Sequence, residues 1–304
     1  MKKFILCAVL SAVAVVSRAG DKGTTAAGFL KEGAGARAAG MGEAYSALVD
    51  EAGAIYWNPA ALATLRRPSV TLMHSASVAS MSYEFAAYGQ KLGDKGGFGL
   101  GVQRQSAGSL GGRDESGFET GGFSPVDTAF LAGAARRLGP VSLGASAKLV
   151  QSKIVKSAST AAADLGVLWP GTAGGKWSAA LTATNLGGKL RYEKDSEQLP
   201  SAWRAGIGYR PSGSWALGLD AVVPNDNGGY LAAGAEWIAA SNDRYSLAIR
   251  AGYNGRSSGN EGGSEGFAAG LGFGFRGVGV DYAFVPMGDL GQSHRISLSY
   301  SFGL

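Results

Sequence analysis

Only His74 and His294 are available as a histidine general base in this 304-residue chain. Both fall towards the ends of expected strands, and neither has an acid at a spacing that suggests a catalytic pair. Cys7 is the single cysteine and lies in a segment expected to be removed, so the mature chain has no thiol for attack, disulfide formation or metal ligation. Gly33-x-Gly35-x-x-Ala38 formally fits a dinucleotide fingerprint. That motif works between a buried strand and a crossover to a parallel strand, and the flanking sequence supplies neither. Its glycines are read instead as points of close backbone packing. The stretches Asn260-Glu-Gly-Gly-Ser-Glu265 and Asn225-Asp226-Asn227 lack the ligand spacing of a calcium loop. They are read as solvated loops. No cofactor and no metal are expected, and the protein is expected not to be an enzyme.

A different set of polar residues carries more information. Glu84, Lys148, Asp164, Arg204, Asp220, Glu236, Arg250, Asp281 and Arg295 all sit within segments that alternate apolar and polar residues. Charge facing lipid is costly, so the expectation is that all nine face a hydrated lumen. There they would pair with one another and hold a plug, or line a solute path. Arg37, upstream of these segments, is the natural partner for a lumenal carboxylate.

The elements that must position these charges follow from periodicity. Val141-Ser-Leu-Gly-Ala-Ser-Ala-Lys-Leu149 places apolar residues at every odd position, the period-two signature of a strand. Trp203 to Arg210, Val278 to Phe284 and Arg295 to Phe302 repeat it. Fourteen such segments are expected, near 68–76, 81–90, 96–105, 127–137, 141–152, 158–168, 177–186, 201–210, 214–222, 229–238, 244–253, 266–276, 278–286 and 292–302. Trp177, Trp203, Tyr209, Trp215, Trp237 and Tyr253 fall towards segment ends, as two aromatic girdles require. Long polar links (106–126, 187–200, 254–265) largely alternate with short ones such as Leu138-Gly-Pro140 and Arg276-Gly277. With 50 glycines and only 17% charged residues, two soluble cores are disfavoured. No apolar run of about 20 residues follows the N-terminus, which excludes a helical membrane protein. The fold expected is an all-β membrane protein: an antiparallel transmembrane β-barrel of about fourteen strands. It must close, because lipid offers no partner to an open edge.

Residues 1–19 read as an export signal: Lys2 and Lys3, an apolar core from Phe4 to Val16, then small residues around Ser17-Arg-Ala19. Its removal takes away Lys2, Lys3 and Arg18 and lowers the formal charge from +5 to +2, so the basic balance does not imply nucleic-acid binding. Residues 20–67 do not alternate and are expected to form a small helical plug in the lumen of a barrel spanning 68–304. Ala36 to Leu48 is expected as a short helix with Met41, Ala44, Tyr45 and Leu48 on one side. Asn58-Pro59 is a turn, with Pro59 opening a second short helix.

Gly33-Ala-Gly-Ala-Arg-Ala-Ala-Gly-Met-Gly42, Ala44-Tyr45 and Ala54-Ile-Tyr-Trp-Asn-Pro-Ala60 resemble the N-terminal signature of the PorV/PorQ family, which is itself similar to the FadL transporters. Glu43 departs from it, since family members carry a small residue there. The ending Phe302-Gly-Leu304 departs from the terminal aromatic of most outer-membrane barrels. The resemblance implies an outer-membrane location, contact with its lipid and insertion by the barrel-assembly machinery. It also points to Arg37, Gly40, Gly42, Tyr56, Trp57, Asn58 and Pro59 as plug or gate residues. Two functions follow. The closer resemblance implies protein secretion or surface attachment of the type IX kind, with exported cargo proteins as partners. The wider one implies a FadL-like transporter of a hydrophobic ligand. An inner face of Gly, Ser, Ala and charge, with hydrophilic loops apart from Phe118 and Phe123, favours the first, because a transporter is expected to present an apolar pocket.

Overall fold

The computed structural model describes residues 24–77, 81–114, 116–154, 156–171, 175–192, 196–257, 266–287 and 291–303. The expected signal peptide and most of the 254–265 loop lie outside them.

Fourteen strands close into an antiparallel barrel. In chain order they are β1 Ser69–Ala76, β2 Ser82–Leu92, β3 Gly96–Ser106, β6 Val126–Leu138, β7 Val141–Lys153, β8 Ser157–Trp169 and β9 Trp177–Gly187. The circle continues with β12 Ala202–Ser212, β13 Trp215–Pro224, β14 Tyr230–Ser241, β15 Tyr245–Asn254, β16 Phe267–Phe275, β17 Val278–Pro286 and β18 Gln292–Ser301. Two hairpins stand outside the wall: β4 Leu110–Arg113 with β5 Glu119–Phe123, and β10 Lys189–Arg191 with β11 Ser196–Gln198. The strand count and nearly every boundary agree with the alternation in the sequence. The hairpins were not expected, because these links have no apolar alternation to betray them.

Closure is made by β1 on β18, in register from Ser69 opposite Ser301 to Ala76 opposite His294. Every barrel strand therefore has two hydrogen-bonded neighbours, which is what a lipid environment demands. The outward face is a continuous apolar band. Along it Leu72, Leu100, Leu143, Leu165, Leu219, Leu271 and Ile296 run from 43% to 54% exposed. A band of that extent around the whole circumference is a lipid surface, not a scatter of exposed side chains. Near the short-turn end, Trp177 stacks on Tyr209 and Trp215 on Trp237, with ring centroids 4.2 and 5.8 Å apart. Trp203 and the Tyr253–Phe267 pair mark the opposite belt.

The inward face is small because the lumen is filled. Phe29, Leu30, Met41, Tyr45, Leu48, Ile55, Trp57, Leu62 and Leu65 of the N-terminal segment are at most 3% exposed. They form the dry core of the molecule against wall residues such as Ala129, Val150 and Leu168. Carbonyls and amides of the segment lie directly on wall glycines. A methyl group on Gly218, Gly234 or Gly252 would overlap the backbone of Ala44, Met41 or Gly42. The many glycines thus make room for a second layer of chain inside the barrel.

The segment itself is less helical than its sequence suggests. The helix that begins at Ala36 stops at Gly40, not Leu48. Gly42 and Glu43 both adopt positive φ, 62° and 65°, and the chain turns there against Tyr253 of β15. Met41, Ala44, Tyr45 and Leu48 are still all buried, as parts of turns. A second short helix, Ala54–Trp57, leads to Asn58, whose side chain accepts from the Ala60 amide and caps a 3₁₀ helix, Pro59–Thr64.

Candidate functional site

The interior site is the seam between plug and wall, built from arginine–carboxylate ties. Arg37, on the first plug helix, donates to both oxygens of Glu236 on β14 at 2.8 and 2.7 Å, and to Asp50 at 2.7 Å. Its guanidinium also lies 5.5 Å from the centre of the Tyr45 ring. Glu236 accepts in addition from Arg250 of β15 at 2.7 Å, and Arg250 reaches Asp281 of β17 at 2.7 Å. One plug arginine is thereby tied into a chain of charges spanning four adjacent strands. Fork-shaped, charge-assisted bonds of this kind are the strong ones.

Further round the wall, Asp220 of β13 accepts from the Tyr45 and Ser46 amides, both at 3.2 Å, and from the Ser46 hydroxyl at 3.0 Å. Arg204 of β12 bonds Asp220 at 3.0 Å and the Glu43 carbonyl at 2.8 Å, with its guanidinium 5.2 Å from the Trp57 ring centre. Arg295 of β18 reaches Glu32 at 3.4 Å and Glu43 at 3.6 Å. Glu43 also accepts from Asn254 at 3.0 Å and faces Arg256 at 3.8 Å. Burial works to raise the Glu43 carboxyl, but Arg256, Arg295 and Arg204 together hold it below the usual carboxylate range. Glu43 is therefore an anionic hub on the plug.

The aromatic element of the plug is fixed by its own backbone. Trp57 donates its indole N–H to the Ala34 carbonyl at 2.7 Å, and Tyr56 its hydroxyl to that of Leu30 at 3.2 Å. The Asn58 amide donates to the carbonyls of Ser46 (3.3 Å) and Val167 (3.2 Å), joining three parts of the chain. Gly40 lies against the wall: a methyl placed on it would come within 3.0 Å of the Gly270 Cα.

The nine wall charges named from the sequence divide three ways. Arg204, Asp220, Glu236 and Arg295 touch the plug, with Arg250 and Asp281 behind Glu236. Lys148 and Asp164 pair with each other at 2.9 Å within the wall, and Lys148 also reaches Asn185 at 2.6 Å. They close over a break in register between β8 and β9, at Ala163/Leu165. Glu84 is a correction. It lies on the outward face, opposite His74, with 3.5 Å between their side chains and Arg104 across the other seam. In β2 the residues that point inward are Tyr83, Phe85 and Ala87, and Phe85 packs edge-on to Tyr56 of the plug. The rings claim the lumen there and turn the carboxylate out. Sequence reasoning missed Glu32, Ser46, Asp50, Asn254 and Arg256, single polar residues in turns or at a strand end. Only Glu43 gave a signal, as a departure from a small residue.

Two hollows flank the plug. On the long-loop side a cavity of about 80 Å³ is bordered by Leu30, Tyr56 and Trp57 of the plug and by Lys148, Arg204 and Tyr230 of the wall. Its outer margin is latched by Lys31 and Thr25, which reach Asp226 at 2.6 and 2.5 Å. Burial would raise the Asp226 carboxyl, but these two donors hold it below its ordinary range. On the short-turn side a vestibule of about 510 Å³ is bordered by Arg37, Leu48, Asp50, Arg66 and Arg210. Among the described residues no cluster of three or more His, Cys, Asp or Glu could hold a metal.

Comparison with known proteins adds the following. A family model described as "Uncharacterised protein family (UPF0164)" matches residues 6–172, more than half of the chain. No curated protein matches. Among solved structures, the Pseudomonas putida toluene transporter TodX is similar at 13% identity with a TM-score of 0.62, over 88% of this chain and 98% of that one. The Ralstonia pickettii toluene transporter TbuX gives 13% and 0.62, over 90% and 99%. A Pseudomonas aeruginosa FadL homologue gives 11% and 0.57, over 86% and 96%. At these identities the likeness establishes a shared fold: a FadL-like fourteen-stranded membrane barrel.

Proposed function

The chain belongs to the uncharacterised protein family UPF0164, and we propose that it is a plugged outer-membrane channel of the FadL type that passes small molecules inward. The observation that carries this reading is the plug held between two hollows, one at each end of the lumen, by ion pairs to the wall. A molecule in the long-loop cavity is separated from the vestibule by the Glu43–Leu48 stretch, which is tied to Arg204 through the Glu43 carbonyl and to Asp220 through Tyr45 and Ser46. The likeness to toluene transporters and to a FadL homologue supports small-molecule passage better than it supports secretion. The cavity differs from the apolar pocket expected of a hydrocarbon carrier: charged side chains form part of its wall. On this reading the outer-membrane location, contact with its lipid and assembly by the barrel machinery belong to the proposal, and the protein does no catalysis.

The test is uptake by proteoliposomes of a panel of small uncharged and charged organic solutes. Flux of some members of the panel, raised when Arg37 is replaced by Ala, supports the channel. Failure of the whole panel, with the plug ties intact and with them cut, would falsify it.

Secretion or surface attachment, implied by the PorV/PorQ resemblance, is the second reading. It is favoured by the filled lumen and by the β4–β5 hairpin, where Phe118 is 72% exposed. Recovery of exported proteins sharing one terminal domain with barrels purified in mild detergent would move the assignment there.

A further inference from the structure

The short-turn end of the barrel carries a ring of positive charge that takes no part in the ties between plug and wall, although Arg66 also borders the vestibule. Arg66 and Arg67 lead into β1, Lys95 stands in the β2–β3 turn, and Arg136 and Arg137 end β6. Lys176 precedes β9, Arg244 lies in the β14–β15 turn and Arg276 in the β16–β17 turn. These eight cations are all exposed, against two exposed acids in the same turns, Asp94 and Asp243. The opposite end mixes signs, as in the Arg113–Glu119 pair.

Two features separate this ring from a solvated face. The cations are spread around the circumference: each connection at this end, or the strand end beside it, carries at least one except Gly213-Ser214, where Arg210 of β12 turns inward to the Leu48 carbonyl and Asp50. They also sit just beyond the aromatic belt of Trp177, Tyr209, Trp215 and Trp237, with the Arg276 guanidinium 5.5 Å from the Phe275 ring centre. An aromatic belt marks headgroup depth, so the cations lie at the level of the phosphates.

We infer that this rim binds the phosphate headgroups of anionic phospholipids in the leaflet that surrounds it. A circumferential ring suits a leaflet, which contacts the barrel from all sides. An acidic protein would call for a patch on one side. Basic residues at a membrane surface attract anionic lipid, and the attraction dies away within a screening length. The inference rests on the barrel fold and is independent of what crosses the lumen.

The probe is vesicles mixing phosphatidylcholine with phosphatidylglycerol, one or the other brominated. Quenching of the rim tryptophans by each brominated lipid gives their relative affinity for the barrel surface. The expected preference for phosphatidylglycerol is about fivefold at low salt. It should fall towards unity at about 1 M salt, where the screening length is about 3 Å. Arg136→Gln, Lys176→Gln, Arg244→Gln and Arg276→Gln combined should also abolish it. All four side chains are exposed, and each single variant should lower the preference by a part if the combination fails to fold. Equal affinity for the two lipids, as an acidic protein partner would leave, overturns the inference. So does a preference that survives both salt and substitution.

Discussion

Replacing Glu236 by Gln tests the tie that anchors the plug. The carboxylate is 5% exposed and accepts two bonds from Arg37 and one from Arg250. Glutamine keeps the shape and one acceptor but removes the charge both guanidinium groups face. Removing one partner of a buried pair costs about 3–5 kcal/mol. The lower end applies here, because Arg37 keeps Asp50 and Arg250 keeps Asp281. Asp50 is 47% exposed, so solvent screens much of what it offers. Arg37 is the only wall-directed charge of its helix, so the loss falls on plug docking, while the strand ladders are untouched. A shift of about 3 kcal/mol raises the fraction of barrels with a displaced plug about a hundredfold. Single-channel recording in planar bilayers reads that fraction as open time. An unchanged open fraction, in a variant that still shows the heat-dependent gel shift of a folded barrel, would refute the argument. A cycle of Arg37→Ala, Glu236→Ala and the double variant should give a coupling of about 1–3 kcal/mol.

Other outcomes follow from the same seam. Glu51 of the plug is pushed up to about 7, first by burial and then by Asp281 and Asp50, against the pull of Arg37. A carboxyl raised in the docked state favours docking below its ordinary value near 4.5 and loses that contribution as pH rises through 7. Open time should therefore increase between those limits, and Glu51→Gln should flatten the pH profile. Gly42→Ala forces a side chain onto φ 62° against the Tyr253 backbone. It should weaken docking by about 1–3 kcal/mol, read as faster protease cleavage of the N-terminal segment in intact barrels. Asn58→Ala removes a cap and two long-range donors at a cost of about 1–2 kcal/mol, which should lower the thermal midpoint without altering strand content.

The wall was legible because lipid outside and a crowded lumen inside impose strict alternation, so each strand announces itself. Phase was harder than period. In β2 the rule that rings face lipid fails, since Tyr83 and Phe85 pack inward against the plug and Glu84, between them, is turned outward. The plug was legible as a segment without alternation but not in its path. Amphipathic spacing from Ala36 to Leu48 fits a helix, yet the wall backbone at Tyr253 forces the positive φ angles at Gly42 and Glu43 that end it. The β4–β5 hairpin escaped because Gly111, Gly112, Gly121 and Gly122 carry no side-chain pattern, and the β10–β11 hairpin because three-residue strands with Leu190 as their one apolar residue are too short to show a period. Arg37 could be matched with a lumenal carboxylate as a type, but its choice of Glu236 is a matter of register around a closed barrel. No local sequence contains that.

The central claim is that the plug must leave the wall for a molecule to pass. Ser46→Cys with Asp220→Cys tests it most directly. The Ser46 hydroxyl and the Asp220 carboxylate are 3.0 Å apart, and they sit where the Glu43–Leu48 stretch divides the cavity from the vestibule. The one native cysteine, Cys7, lies in the expected signal peptide and would not compete. Solute uptake is measured in proteoliposomes of this variant, oxidised and then reduced, so each preparation is its own control. Uptake stopped by the cross-link and restored by reductant is the predicted result. Equal uptake in both states, with the disulfide shown to have formed, would contradict the account.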